Sequence, residues 1–270
     1  MNNNNSELVL ENFSVSANGG KSPLVSASTR IPQCRLHTLI GPNGAGKSSL
    51  LRGMLGILRT NGALLLGEQN LSSLPTHKRT NFLAYQPQSP PRGEGLRVDE
   101  FVASARGAHS PWLTGFSNND KQVCETSLAR VGASHLSERI LSTLSGGEIA
   151  RVNLASTLAL GTQWLLLDEP VAAADVSAAR DIYRLLKSLV REEGLSIFVV
   201  EHDLGLARTW ADEVSVIASG ELVASENTAE VFASDALSRA YATTFKQVEV
   251  VPGTWAVVAV NGDENKENAS

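Results

Sequence analysis

Cysteine is nearly absent from this chain of 270 residues: it has only Cys34 and Cys124. They stand far apart and form no C-x-x-C pair, so neither a disulfide framework nor a thiolate zinc site is expected. Both read as buried thiols in a reduced, cytosolic setting. Histidine is scattered over His37, His77, His109, His135 and His202. No two of these have helical ligand spacing, which argues against a zinc centre. A basic excess is also missing. The net charge is -5, and a field of that sign repels nucleic acid. No apolar stretch approaches the roughly 20 residues needed to span a bilayer. The first residues, Met1 to Ser6, are polar and Asn-rich, without the apolar segment of a signal peptide. A membrane role is therefore expected to come through a partner. There is no internal repeat and no sustained heptad pattern. The rest is ordinary for a globular protein, 42% hydrophobic and 19% charged. The length suits one large α/β domain, or one domain carrying an inserted subdomain.

Against this background, residues 41 to 48 stand out: Gly41-Pro42-Asn43-Gly44-Ala45-Gly46-Lys47-Ser48. This is a phosphate-binding loop of the G-x-x-x-x-G-K-[ST] type. Glycines let the backbone turn so that successive N–H groups converge on phosphate oxygens. Lys47 supplies a point charge for the β- and γ-phosphates, and the Ser48 hydroxyl suits the hard cation Mg²⁺. The flanks agree. Leu36 to Ile40 reads as a buried strand, and Ser48 to Leu58 has helical spacing, so the anion faces a helix N-terminus.

The remaining pattern is α/β. Leu8 to Ser16 alternates imperfectly and reads as a strand, followed by a turn at Gly19-Gly20 and a second strand over 24 to 32. A short strand is expected at Ala63 to Leu66, bounded by Asn61-Gly62, and another at Leu83 to Tyr85. Residues 87 to 120 are rich in Pro and Gly, with a helical patch at Val98 to Ala105. An amphipathic helix is expected over 120 to 136. Together, about 88 to 160 reads as a mostly helical insertion. Core strands resume at Trp164 to Leu167, Ser196 to Val200 and Val214 to Ala218, with helices at Ala178 to Glu192 and Leu204 to Trp210. Phe245 to Val250 and Trp255 to Val260 read as a hairpin. Residues 1 to 6 and the polar C-terminal residues read as disordered tails.

Three further segments carry chemistry. The strand at Leu165 ends in Asp168-Glu169, beyond the carboxyl end of the strand, where α/β sheets bind ligands. Asp168 is placed to support a metal, and Glu169 to polarise an attacking water. Leu144-Ser145-Gly146-Gly147-Glu148 precedes a helix. Ser145 is a good N-cap, and the small residues leave backbone N–H groups open, which gives the chain a second anion-binding helix N-terminus. His202 follows a buried strand in Glu201-His202-Asp203, where it can hydrogen-bond a phosphate or a water.

In order and spacing, this set resembles the nucleotide-binding subunit of an ATP-binding cassette (ABC) transporter, over roughly residues 7 to 250. Gly41 to Ser48, with Ser49 beside it, matches the Walker A motif. Leu144 to Glu148 matches the signature. Leu167-Asp168-Glu169-Pro170 matches Walker B with its catalytic glutamate. Gln88 fits the Q-loop, Asp175 the D-loop and His202 the switch histidine. The resemblance implies a P-loop NTPase core with a parallel sheet, an N-terminal antiparallel β subdomain and the inserted helical subdomain, closed by a C-terminal hairpin strand over 251 to 262. It implies ATP hydrolysis with Mg²⁺ held by Ser48, Gln88 and Asp168, and catalytic roles for Glu169, His202 and Gln88. It further implies two copies paired head to tail, each ATP lying between Walker A of one and the signature of the other. The implied partners are two polytopic permease subunits at the cytoplasmic face of the membrane and, indirectly, a substrate-binding protein; no nucleic acid is implied.

Val102 to His109 with Ser110-Pro111-Trp112, and Leu237 to Tyr241 running into Phe245 to Val248, resemble segments of importers of iron chelates, haem and cobalamin. Haem or ferric siderophore is the expected cargo class, with cobalamin next. The chain departs from the family in three places. Ala17 stands where an adenine-stacking aromatic is usual. Ala172-Ala173-Ala174-Asp175 lacks the usual serine and leucine. Glu148 replaces the commoner glutamine. Non-transport cassettes of DNA repair carry long coiled coils and basic surfaces, which this chain lacks. Translation-associated cassettes carry two Walker A motifs, and this chain has one. A stand-alone P-loop kinase lacks the signature.

Overall fold

The computed structural model describes residues 7–17, 20, 22–88, 95–106 and 117–260. The tails, Gly19, and part of the importer-like segment around His109 and Pro111 lie outside the described residues. The chain runs β1 (Leu8–Ser16), β2 (Pro23–Ile31), β3 (Leu36–Ile40), α1 (Lys47–Met54), β4 (Arg59–Leu66), β5 (Gln69–Asn70) and α2 (Thr76–Arg79). It continues with β6 (Leu83–Gln86), α3 (Val98–Arg106), α4 (Asn118–Arg130), α5 (Gly146–Leu158), β7 (Trp164–Asp168), α6 (Val176–Glu193) and β8 (Ser196–Val200). It ends with α7 (Leu204–Trp210), β9 (Glu213–Ala218), β10 (Glu221–Asn227), α8 (Thr228–Ala233), α9 (Ala236–Tyr241), β11 (Thr244–Val251) and β12 (Thr254–Val260). These residues form two compact units, residues 1–79 with 198–270, and residues 80–197.

The first unit holds an N-terminal antiparallel array in which β1 pairs with both β2 and β4, and β4 with β5. It also holds parallel pairing of β3 with β9 and an antiparallel β9–β10 pair. The imperfect alternation of β1 has a physical cause. Glu11 pairs with Ala63 and Ser14 with Asn61, so Asn12 and Phe13 stand opposite Gly62 alone. This is a β-bulge, with Asn12 at φ 45. A Cβ on Gly62 would lie 2.2 Å from the Asn12 carbonyl oxygen. Asn61-Gly62 therefore lies inside β4 and does not bound it, which corrects the sequence expectation. The helix expected to reach Leu58 ends at Met54, and Gly56 at φ 75 turns the chain away. The C-terminal hairpin is present as β11 and β12, joined at Pro252-Gly253.

The second unit pairs β6 with β7 in parallel. Every residue of β7 is buried, as its unbroken apolar run requires. α6 buries Ala179, Ile182, Tyr183, Leu186, Leu189 and Val190, a stripe at three- and four-residue spacing. Each large apolar member contributes roughly 1.5–3 kcal/mol. Gly194 at φ 67 ends the helix. α4 starts at a capping box between Ser117 and Asp120. It stops before Gly132, at φ 69, and a 3₁₀ turn at Ser134–Leu136 takes over where a continuous helix was expected.

Candidate functional site

The phosphate loop leaves β3 at Ile40, which is fully buried. A Cβ on Gly41 would lie 2.1 Å from the Ile217 carbonyl oxygen, so only glycine can leave the strand there. Gly44 at φ 78 and Gly46 at φ 103 turn the backbone through left-handed conformations. Gly46 is the N-cap of α1 and offers no side-chain cap bond. A phosphate oxygen suits the first-turn amides, those of Ser48 and Ser49 among them. Lys47 is buried, and its Nζ donates to the carbonyl oxygens of Gly41 at 2.7 Å and Pro42 at 3.1 Å. Pro42, Asn43 and Ala45 complete the loop, with Ala45 buried.

His202 belongs to the same unit and stays exposed at the end of β8. Glu201, buried to 1% exposure, holds the turn: its Oε2 accepts from the backbone N–H groups of His202 at 3.0 Å and Asp203 at 3.2 Å. Asp203 then caps α7 by accepting from the Leu206 N–H. Sequence reading missed Glu201; its signal was an acid directly after a buried strand. α7 is clasped from the C-terminal hairpin. The Arg208 guanidinium lies over the Trp255 ring at 4.1 Å and donates from Nε to Gln247 Oε1 at 2.9 Å, while the Trp255 N–H donates to Thr209 Oγ1. Phe13 is fully buried in β1, so it offers no ring in place of the aromatic missing at Ala17.

In the second unit, the structure brings Tyr85 and Gln88 to the Asp168-Glu169 pair, more than eighty residues away in sequence. Asp168 ends β7 at 1% exposure, and Tyr85 donates to its Oδ2 at 3.3 Å. Glu169 follows with φ 50, a conformation that costs a non-glycine residue about 1 kcal/mol or more. Gln88, two residues past β6, donates from Nε2 to Glu169 Oε2 at 2.7 Å. Carboxylate and amide therefore meet at the carboxyl end of a parallel strand pair, where a water can be oriented and a cation held.

The segment from Ser145 to Glu148 also lies in this unit. Ser145 caps α5 in a full capping box. Glu148 Oε2 accepts from the Ser145 N–H at 2.8 Å and from its hydroxyl at 2.9 Å. These bonds, with the nearby Arg139 and His135, hold the Glu148 carboxyl below the usual range. A Cβ on Gly146 would fall 1.7 Å from the Ala173 carbonyl oxygen, and one on Gly147 would fall 2.6 Å from the Ala178 Cβ. The glycines of this loop thus admit the Ala172-Ala173-Ala174 segment. Asp175 caps α6 by accepting from the Ala178 N–H at 2.8 Å. Cys124 is buried as expected, but Cys34 is exposed at φ 53 in the turn before β3.

The profile of the family described as ABC transporter matches residues 24–172, which run from β2 through the end of β7 and its acidic pair. This chain belongs to the ABC transporter family. It is an ATPase of that type and binds nucleotide. The Iron(3+)-hydroxamate import ATP-binding protein FhuC of Bacillus subtilis is 34% identical over 212 residues, 78% of this chain and 79% of the relative. The Hemin import ATP-binding protein HmuV of Shewanella denitrificans is 36% identical over 234 residues, 84% of this chain and 91% of the relative. The ADP conformation of an ATP-binding cassette of an ABC transporter aligns with a TM-score of 0.78 at 20% identity, over 88% of this chain and 99% of that one. The fold is therefore that of an ABC cassette, as the motifs implied.

Proposed function

We propose that this chain is the ATP-hydrolysing subunit that energises a membrane importer for haem or ferric siderophore. The cargo class is supported by the relatives named for hemin and iron-hydroxamate import. The observation that carries the chemistry is the meeting of Gln88 and Glu169 beside buried Asp168. Glu169 polarises the attacking water, and Gln88 orients it and reports the state of the site. His202, on its pinned turn, hydrogen-bonds the γ-phosphate. The loop amides and Lys47 neutralise the triphosphate, so binding energy is spent on charge that must move during transfer.

The donors offered for Mg²⁺ are the Ser48 hydroxyl, the Gln88 amide oxygen and the Asp168 carboxylate. All are oxygens, as a hard cation requires. When bound, the ion neutralises charge on the β- and γ-phosphates.

A single chain has two anion-binding helix N-termini, at Gly46 and at Ser145. A head-to-tail pair of chains uses both on one nucleotide. Residues 7–250 act as one ABC ATPase domain, with the helical segment of about 88–160 facing two permease subunits at the cytoplasmic side of the membrane. Among the described residues, no helix is long and apolar enough to cross a membrane. The test is affinity purification from detergent-solubilised membranes, together with uptake of labelled haem and ferric siderophore. A polytopic membrane protein co-purifies, and uptake of one of these cargoes fails in Glu169→Gln. Uptake of both cargoes unchanged by that substitution contradicts the reading.

A further inference from the structure

The acid at position 148 creates an electrostatic problem. Its carboxylate Oε2 accepts from both the backbone N–H and the hydroxyl of Ser145, at 2.8 and 2.9 Å. A phosphate brought to Ser145 therefore meets a negative charge one hydrogen bond away, at a surface where the repulsion is only partly screened. The same carboxylate competes with the phosphate for the Ser145 hydroxyl proton. A neutral amide at this position would still accept from the hydroxyl but would present no net charge to the anion.

Arg139 lies just upstream on the same loop and faces the other carboxylate oxygen, with Nη1 donating to Glu148 Oε1 at 2.9 Å. Its second terminal nitrogen donates to the Thr143 carbonyl oxygen at 2.9 Å, and Val98 donates its backbone N–H to the Arg139 carbonyl oxygen at 3.0 Å. The Val98 bond holds the Arg139 main chain, while the guanidinium is oriented by Thr143 and Glu148, its two terminal nitrogens splayed in the fork geometry that only arginine supplies. Such a surface pair adds little to folding stability, so its place beside Ser145 calls for another explanation.

We propose that Arg139 is a positioning residue that neutralises Glu148, allowing a carboxylate to cap the signature helix while Ser145 receives the γ-phosphate of a second copy's nucleotide. The proposal rests on the head-to-tail reading above. Glu148 keeps the capping box intact, and Arg139 removes the charge that the box would otherwise present to the anion. Arg139 touches neither nucleotide nor water in this scheme and acts through Glu148.

The experiment is a double-substitution cycle on the full chain, with steady-state ATPase as the readout and thermal unfolding as a control on folding. Arg139→Ala in the Glu148 background lowers kcat/KM for ATP by about five- to tenfold, a plausible size for one uncompensated surface charge. Arg139→Ala in the Glu148→Gln background lowers it far less, and Arg139→Lys in the Glu148 background falls between. Raising salt narrows the gap between the Arg139→Ala variant and its parent. An equal loss in both backgrounds overturns the proposal by making Arg139 a structural support of the loop, and so does no loss in either. Ser145→Arg separates this outcome from failure of the underlying reading. Normal hydrolysis by Ser145→Arg refutes the head-to-tail site whatever Arg139 does, whereas a dead Ser145→Arg beside an uncoupled Arg139 refutes only the neutralising role.

Discussion

His37 shows how a single side chain ties this fold to pH. It sits in β3 at 1% exposure, stacks on Phe198 with ring centroids 5.1 Å apart, and places Nε2 2.8 Å from Ser215 Oγ. Burial lowers its pKa from 6.5 to about 3. The unfolded chain therefore takes up a proton near pH 6.5, while the folded chain does so only near pH 3. The stability from the neutral imidazole is present above pH 6.5 and falls as pH drops through that window, at a limiting slope of about 1.4 kcal/mol per unit. Thermal unfolding from pH 7.5 down to 4.5 is expected to show this loss, with a shallower slope in His37→Phe. Parallel slopes for the two proteins would contradict it. The residues that the sequence hid are of this kind. Glu201 and Arg79 are buried charged groups, and Arg208 is a half-buried one. Arg79 donates to the Gly53 and Met54 carbonyl oxygens at the end of α1, more than twenty residues away in sequence. Arg208 reaches Gln247 and Trp255 across a longer gap. No local pattern announces such pairs, whereas the phosphate loop is legible because two glycines, a lysine and a serine are needed at fixed spacing.

Elements with an unbroken apolar run or a helical stripe were legible almost to the residue. β8 and α7 fall where the sequence placed them, and α6 begins two residues earlier than expected. Two strands were missed, the two-residue β5 and the longer β10, whose mostly polar Glu221–Asn227 stretch has no residue fully buried to mark it. The turn before it did carry a signal. Ser219 and Gly220 both have positive φ, the two-residue hairpin geometry that delivers β10 onto β9. The glycines of the signature loop answer to packing as well as to phosphate. A Cβ at Gly146 meets a backbone carbonyl oxygen at 1.7 Å, which cannot be relieved by rotating a side chain; at Gly147 it meets the Ala178 methyl at 2.6 Å. Gly146→Ala is expected to be the more destabilising of the two, by about 1–3 kcal/mol, with a matching fall in the thermal midpoint. A larger loss for Gly147→Ala would mean that the Ala173 segment yields more readily than the structure implies.

At the scale of the whole molecule, the candidate site residues divide between two compact units. The phosphate loop and the pinned His202 turn lie in one. Gln88, Asp168, Glu169 and the signature loop lie in the other. In the head-to-tail pair proposed above, each nucleotide would take a phosphate loop from one chain and a signature from its mate. The carboxylate of Glu169 is the part of this account most open to a direct test. Glu169→Gln keeps the shape of the side chain and an oxygen for Gln88 to bond but removes the charge proposed to polarise water. Size-exclusion chromatography of the purified variant, with Mg²⁺ and either ATP or ADP, is the measurement. The account predicts a stable dimer with ATP, a monomer with ADP and a fall in turnover of at least about a hundredfold. Near-normal turnover, or a variant that stays monomeric in saturating ATP, would contradict it.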